Sequence, residues 1–176
     1  MLIISLDPGE SSGAAVLNYG ESPAELVAAF QVSGGVSGFL ALLDMLHEYE
    51  GRGTWICEKY SPRPSTATGF QQSLKTSLPL VCEGVLIGRG LMPVYTPSEK
   101  RYRDPSLQYF SGGSGKAERK KKQHAFLKAN GFYKTGKDFG TPDADDFRSA
   151  ASHGIAYLAR ELHHKPTFEL LSRWEG

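Results

Sequence analysis

The sequence predicts an α/β fold: a five-stranded mixed sheet, three antiparallel strands and then two parallel ones, flanked by helices. Two observations lead there. Short apolar runs come first and close together, separated by turn residues, as in an antiparallel meander. Later runs alternate with segments of helical period, which favours parallel strands joined by helical crossovers. The order is three strands, helix, strand, helix, strand, helix, helix. A chain of 176 residues has the length of one domain, here 1–176, with 165–176 as a short C-terminal tail.

Leu2 to Leu6 is a nearly continuous apolar run and reads as a central strand ending at Asp7. Pro8-Gly9-Glu10-Ser11-Ser12-Gly13 is turn chemistry, Ala14 to Leu17 a second strand, and Leu26 to Val32 a third. Ser37 to Tyr49 has helical spacing at Phe39, Leu42, Leu43 and Leu46, with Ser37 as its expected cap. Thr54 to Tyr60 returns as a strand that carries Glu58. A mostly helical segment follows from about 66 to 90, where Pro79 is expected to interrupt it or open its second half. Met92 to Thr96 is the fifth strand and Lys116 to Ala129 a basic helix that stops at Asn130-Gly131. Thr141-Pro142 opens a long helix to about His163, and Phe168, Leu171 and Trp174 allow a short amphipathic turn or two.

Composition excludes several classes. No apolar stretch reaches the roughly 18 residues of a membrane span, and no basic leader with a small-residue cleavage site opens the chain. Cys57 and Cys82 are too few for a disulfide framework and lack metal-ligand spacing, so they read as buried thiols in a reducing cytoplasm. No motif asks for a small-molecule cofactor. The net charge of +1 is unevenly spread: Glu99 to Lys137 carries +8 and the remainder −7. A basic block beside an acidic remainder suggests a polyanion partner and a separate metal-binding centre, although a lone charge run is more often a solvated helix face.

The metal-binding candidates are Asp7, Glu58, Asp143 and Asp146. Two of these acids end buried strands, and two sit three residues apart at the start of a helix. A carboxylate at the end of a buried strand is costly unless something cationic meets it. Several converging carboxylates are best explained by a divalent ion that takes oxygen ligands, such as magnesium. Each acid has a blander explanation as well. Asp7 suits the first position of a turn, Glu58 could pair with Lys59 or Arg63, and acids in a first helical turn complement the dipole. Spacing favours function for the helical pair. Phe147, Ala150, Ala151, Gly154, Leu158 and Leu162 form one stripe with Asp143 and Asp146 on its edge, while Asp145 points away. Ala150, Ala151 and Gly154 would let that helix approach the sheet closely.

In order along the chain, these motifs resemble those of RuvC-type Holliday-junction resolvases, members of the ribonuclease H-like nuclease superfamily. The matching stretches are Leu2 to Gly13 with its Asp-Pro-Gly, Ile56-Cys57-Glu58-Lys59-Tyr60, Pro93 to Ser98, and Asp143-Ala144-Asp145-Asp146-Phe147. The likeness spans about residues 2 to 160. Phe147-Arg148 departs from the small and aliphatic residues expected after the last acid, and the 104–115 stretch is longer than usual. The resemblance implies a ribonuclease H-like fold, a homodimer and magnesium-dependent cutting of branched DNA to 5′-phosphate ends. It assigns Asp7, Glu58, Asp143 and Asp146 as ligands.

In such a centre two magnesium ions, for which manganese would substitute, lie about 3.5–4 Å apart and clamp the scissile phosphate. Asp7 is the expected bridge between them. Phosphates would be held by Lys116, Arg119, Lys120, Lys121 and Lys122 on one helix and by Lys100, Arg101 and Arg103 after the fifth strand. Tyr60 could stack on an unpaired base or be a half-buried core residue. Gly84 and Gly88 in the helix around 80–90 suit close helix contact, within a subunit or between two.

Three rivals remain. Sugar kinases and actin-like ATPases share the strand-turn opening but need a second glycine-rich phosphate turn that is missing here. A related nuclease acting on flaps, forks or RNA–DNA hybrids is nearer. The third is a non-catalytic branched-DNA-binding module.

Overall fold

The computed structural model describes residues 1–58, 69–91, 93–96, 116–133 and 146–173, with backbone alone for 69–77, 94–96, 116, 117 and 119. Strands β1 (Leu2–Asp7), β2 (Ser11–Asn18), β3 (Glu25–Ser33), β4 (Gly53–Glu58) and β5 (Val94–Thr96) form one mixed sheet in the order β3-β2-β1-β4-β5. The β1–β2 and β2–β3 pairs are antiparallel, and β1–β4 and β4–β5 are parallel. The helices are α1 (Gly35–Met45), α2 (Gly69–Gly88), α3 (Lys116–Ala129), α4 (Asp146–Arg160) and α5 (Lys165–Ser172).

Both faces of the sheet are covered, so the central strands are apolar throughout instead of alternating. One face joins Ile4, Leu6, Ala14, Val16, Trp55 and Cys57 to the buried sides of α1 and α2 through Phe39, Leu42, Leu43, Cys82 and Leu86. The other joins Ile3, Leu17 and Ile56 to α3, α4 and α5 through Phe126, Ile155, Leu158 and Leu171. The twofold period of a strand then decides where its last residue points. Asp7 follows Ile3 and Ser5, and Glu58 follows Ile56, so both acids belong to the α4 face.

Several sequence expectations shift. The first helix begins at Gly35, ahead of Ser37, and no side chain caps it. Gly34 and Gly35 adopt positive φ (111° and 57°) and give their N–H groups to the Glu10 carbonyl at 3.1 and 2.9 Å. That link to the β1–β2 turn replaces a serine cap. Pro79 lies inside an unbroken α2 and interrupts nothing, at the cost of one intrahelical hydrogen bond. Leu162 lies past the end of α4 and is exposed, because the helix stops at Arg160. The α3 helix ends where Asn130-Gly131 predicts: Gly131 has φ 77° and the Phe132 N–H reaches back to the Leu127 carbonyl at 2.8 Å. The Thr141-Pro142 start, Asp145 and Trp174 lie outside the described residues. Among the described residues no helix is long and apolar enough to cross a membrane.

Candidate metal centre

Strand pairing brings the first two carboxylates together. In the parallel β1–β4 ladder Leu6 lies opposite Cys57, so the next residues are Asp7 and Glu58, leaving the same edge of the sheet. The tight turn behind Asp7 is buckled by Ser12, whose hydroxyl accepts from the Gly9 N–H at 3.1 Å and reaches the Gly9 carbonyl at 3.3 Å.

The third carboxylate arrives on α4. Asp7 stands opposite Gly13 in the β1–β2 ladder, and the first turn of α4 lies directly on that glycine. A Cβ at Gly13 would sit 2.2 Å from the Asp146 carbonyl carbon and the Phe147 nitrogen. Only glycine admits the helix there, which sets Asp146 beside Asp7. Deeper in, Gly154 allows the same approach, since its Cβ would lie 2.6 Å from Leu17 Cδ1. The Ser5 hydroxyl donates to the Ala150 carbonyl at 2.6 Å and pins helix to strand. Gln31 of β3 accepts the Phe147 N–H at 3.4 Å, satisfying one orphan donor of the helix start. The buried Arg148 guanidinium lies 5.2 Å from the Tyr133 ring centre and 5.9 Å from that of Phe147, tying the segment after α3 to the helix start.

The electrostatics record this convergence. Burial, the charge of Glu58, a hydrogen bond shared with Glu58 and the charge of Asp146 push the Asp7 carboxyl well above the usual carboxylate range. A hydrogen bond with Ser149 pulls the other way. On the far side of Glu58, His153 Nε2 lies 3.8 Å from Oε2. Burial above all, then the charges of Asp7 and Glu58, push the neighbouring Cys57 thiol far up, and burial takes Cys82 to about 11. Both stay protonated thiols, unsuited to metal binding or nucleophilic attack.

A divalent cation fits this donor set. It is built of carboxylate oxygens, and the burial and neighbouring negative charges that raise the Asp7 carboxyl are what a dication would offset. Among the described residues no three His, Cys, Asp or Glu side chains stand ready-made around one point. The fourth candidate, Asp143, lies outside the described residues, as do Tyr60, Lys100, Arg101 and Arg103. Lys116, Arg119, Lys120, Lys121 and Lys122 share α3, with Lys121 exposed and Lys120 and Lys122 half-buried. The apolar end of that helix, Phe126 and Leu127, is in the core beside α4.

No family model matches the chain, and no curated protein matches it. Solved structures do. Thermus thermophilus RuvC in complex with a Holliday junction substrate matches at TM-score 0.54 and 12% identity, over 94% of this chain and 98% of that one. Fowlpox virus resolvase with its Holliday junction DNA matches at 0.54 and 17%, over 92% and 99%. At such identities the likeness is one of fold: the chain shares the fold of these resolvases.

Sequence reasoning missed Ser149, His153 and Gln31 as residues of the site. The first two lie three and seven residues after Asp146, in line with it on the edge of the apolar stripe of α4, where only the acids stand out; Gln31 carries no local signal at all.

Proposed function

We propose that this chain is a magnesium-dependent endonuclease that cuts four-way DNA junctions as a homodimer and leaves 5′-phosphate ends. The observation that carries the proposal is the approach of Glu58 and, from the start of α4, Asp146 to Asp7, near enough for their charges to raise its carboxyl. These three, with Asp143, would hold the ions. Two bound magnesium ions, or manganese in their place, supply an activated water and charge stabilisation for the leaving oxygen.

The chain's own residues do the rest. Asp7, which would hold the ions from the central strand, is set by its ladder position and by Ser149. Gly13 and Gln31 fix how close Asp146 comes. The cations of α3, together with Lys100, Arg101 and Arg103, hold DNA phosphates without reading sequence, and Tyr60 stacks on a base at the branch point. Two symmetric cuts in a four-way junction need two active sites, which a twofold dimer provides. The face of α2 suits that contact: Leu80, Val81 and Ile87 are exposed, and the spaces above Gly84 and Gly88 are open. The neighbours' junction substrates support junctions as the target here.

The test is magnesium-dependent cutting of matched junction, flap, fork and RNA–DNA hybrid substrates. Preferred cutting of the junction, at paired symmetric positions, is expected. Equal or better cutting of the hybrid or flap overturns the assignment to junctions, and cutting of none of them overturns the enzyme.

A further inference from the structure

His153 is placed against the carboxylates in a way that packing does not explain. Its side chain is 2% exposed, its Nε2 faces Glu58 Oε2 at 3.8 Å, and its buried Nδ1 has no hydrogen-bond partner among the described residues. A carboxylate only accepts, so a neutral ring can serve Glu58 only as the tautomer with Nε2–H, which leaves the lone pair to Nδ1. An apolar side chain of similar volume would fill the space without burying that nitrogen. The ring therefore contributes something its neighbours require at Nε2.

Helix geometry says what. Seven residues are about two turns and about 10 Å along the axis, so His153 lies on the face of Asp146 but well below it. Ser149, one turn in, serves Asp7. The helix thus meets the strand acids in three tiers: Asp146 at the rim, Ser149 with Asp7, and His153 with Glu58. At 3.8 Å the last contact is longer than a hydrogen bond.

We propose that His153 is a positioning residue: its Nε2–H aims the Glu58 carboxylate at the metal centre without itself touching an ion. This rests on the metal-dependent function proposed above. Donors behind ligating groups typically govern metal affinity by about ten- to hundred-fold.

The test uses the full chain and Mn2+ alone, with affinity read by calorimetry and folding checked by thermal melting. His153→Leu is expected to weaken Mn2+ binding at least about tenfold. His153→Gln, whose amide nitrogen reaches the Nε2 position, restores most of it. His153→Asn, which offers its donor at the Nδ1 position, does not. In a Glu58→Gln background the His153 substitutions change Mn2+ affinity no further. Wild-type affinity in folded His153→Asn overturns the proposal, and this polar variant still decides should His153→Leu fail to fold. A nitrogen bound directly to Mn2+ in pulsed EPR overturns it too, by making His153 a ligand. If the wild-type chain binds no Mn2+, the metal-dependent function itself falls, and this role with it.

Discussion

Two helices on opposite faces of the sheet show what this chain completes by itself and what it leaves open. Every residue of α4 from Ala150 to Ala159 is buried, and its glycine is pressed against Leu17 and Ser5. Along α2, Leu80, Val81 and Ile87 are 54, 45 and 51% exposed, and among the described residues nothing beyond the adjoining helix backbone lies within 4 Å of a would-be Cβ at Gly84 or Gly88. The first helix is fixed within its own chain, and it carries Asp146 at its start. The second offers an apolar surface of the kind that marks a protein contact. Under the proposed function, chemistry and assembly would fall on the two sides of one sheet.

The strongest blow to the α4 side removes an acid. Asp7→Asn should lower junction cutting by more than the roughly 100-fold typical of losing a supporting residue, with junction binding retained. Its effect on stability has the opposite sign. Because the folded Asp7 carboxyl lies above its unfolded value, its contribution is intact below the ordinary carboxylate range and is lost as pH rises through the raised value. In EDTA the wild-type melting midpoint should fall across that window, while Asp7→Asn removes its part of the fall and melts higher at neutral pH. An identical slope in both proteins would remove the electrostatic account.

Next comes Gly13→Ala. The methyl cannot fit against the Asp146 backbone, so the helix start must move, and an ångström of displacement costs on the order of 10²-fold in rate. Wild-type cutting by this variant would show that the close approach is dispensable. On the α2 side, Ile87→Glu should convert a dimer to a monomer by sedimentation and leave Mn2+ affinity within about twofold. A wild-type dimer would move the contact elsewhere. The smallest contrast is between two glycines of similar helical setting. Gly84→Ala should stabilise the single protomer by up to about 1 kcal/mol, because it adds helix propensity in open space. Gly154→Ala should gain no such stability, because its methyl must displace the buried end of Leu17 and meets Ser5 Cβ at 3.3 Å, which offsets the helix propensity of about 1 kcal/mol.

How far the sequence reveals this arrangement depends on the range of the physics involved. The apolar runs ending in Asp7 and Glu58, and the basic stretch Lys116–Ala129, are local patterns, and the structure has them where the period puts them. Gly154 could be read as a close-contact residue because it lies on the apolar stripe. Ser37 misled because the start of α1 is decided by the Glu10 carbonyl, more than twenty residues upstream. The collision that forbids a side chain at Gly13 involves Asp146, and His153 matters only because β4 ends beside it. Residue spacing gives the face of an element. It does not give the register between remote ones, and that register is what builds the centre.

The most direct measurement is the cation dependence of cutting on a synthetic four-way junction, for wild type and Asp146→Asn side by side. Cutting by the wild type alone, present with Mg2+ or Mn2+ and abolished by EDTA, is the predicted result. Cutting that survives EDTA, or an Asp146→Asn protein as fast as the wild type, would contradict the carboxylate centre.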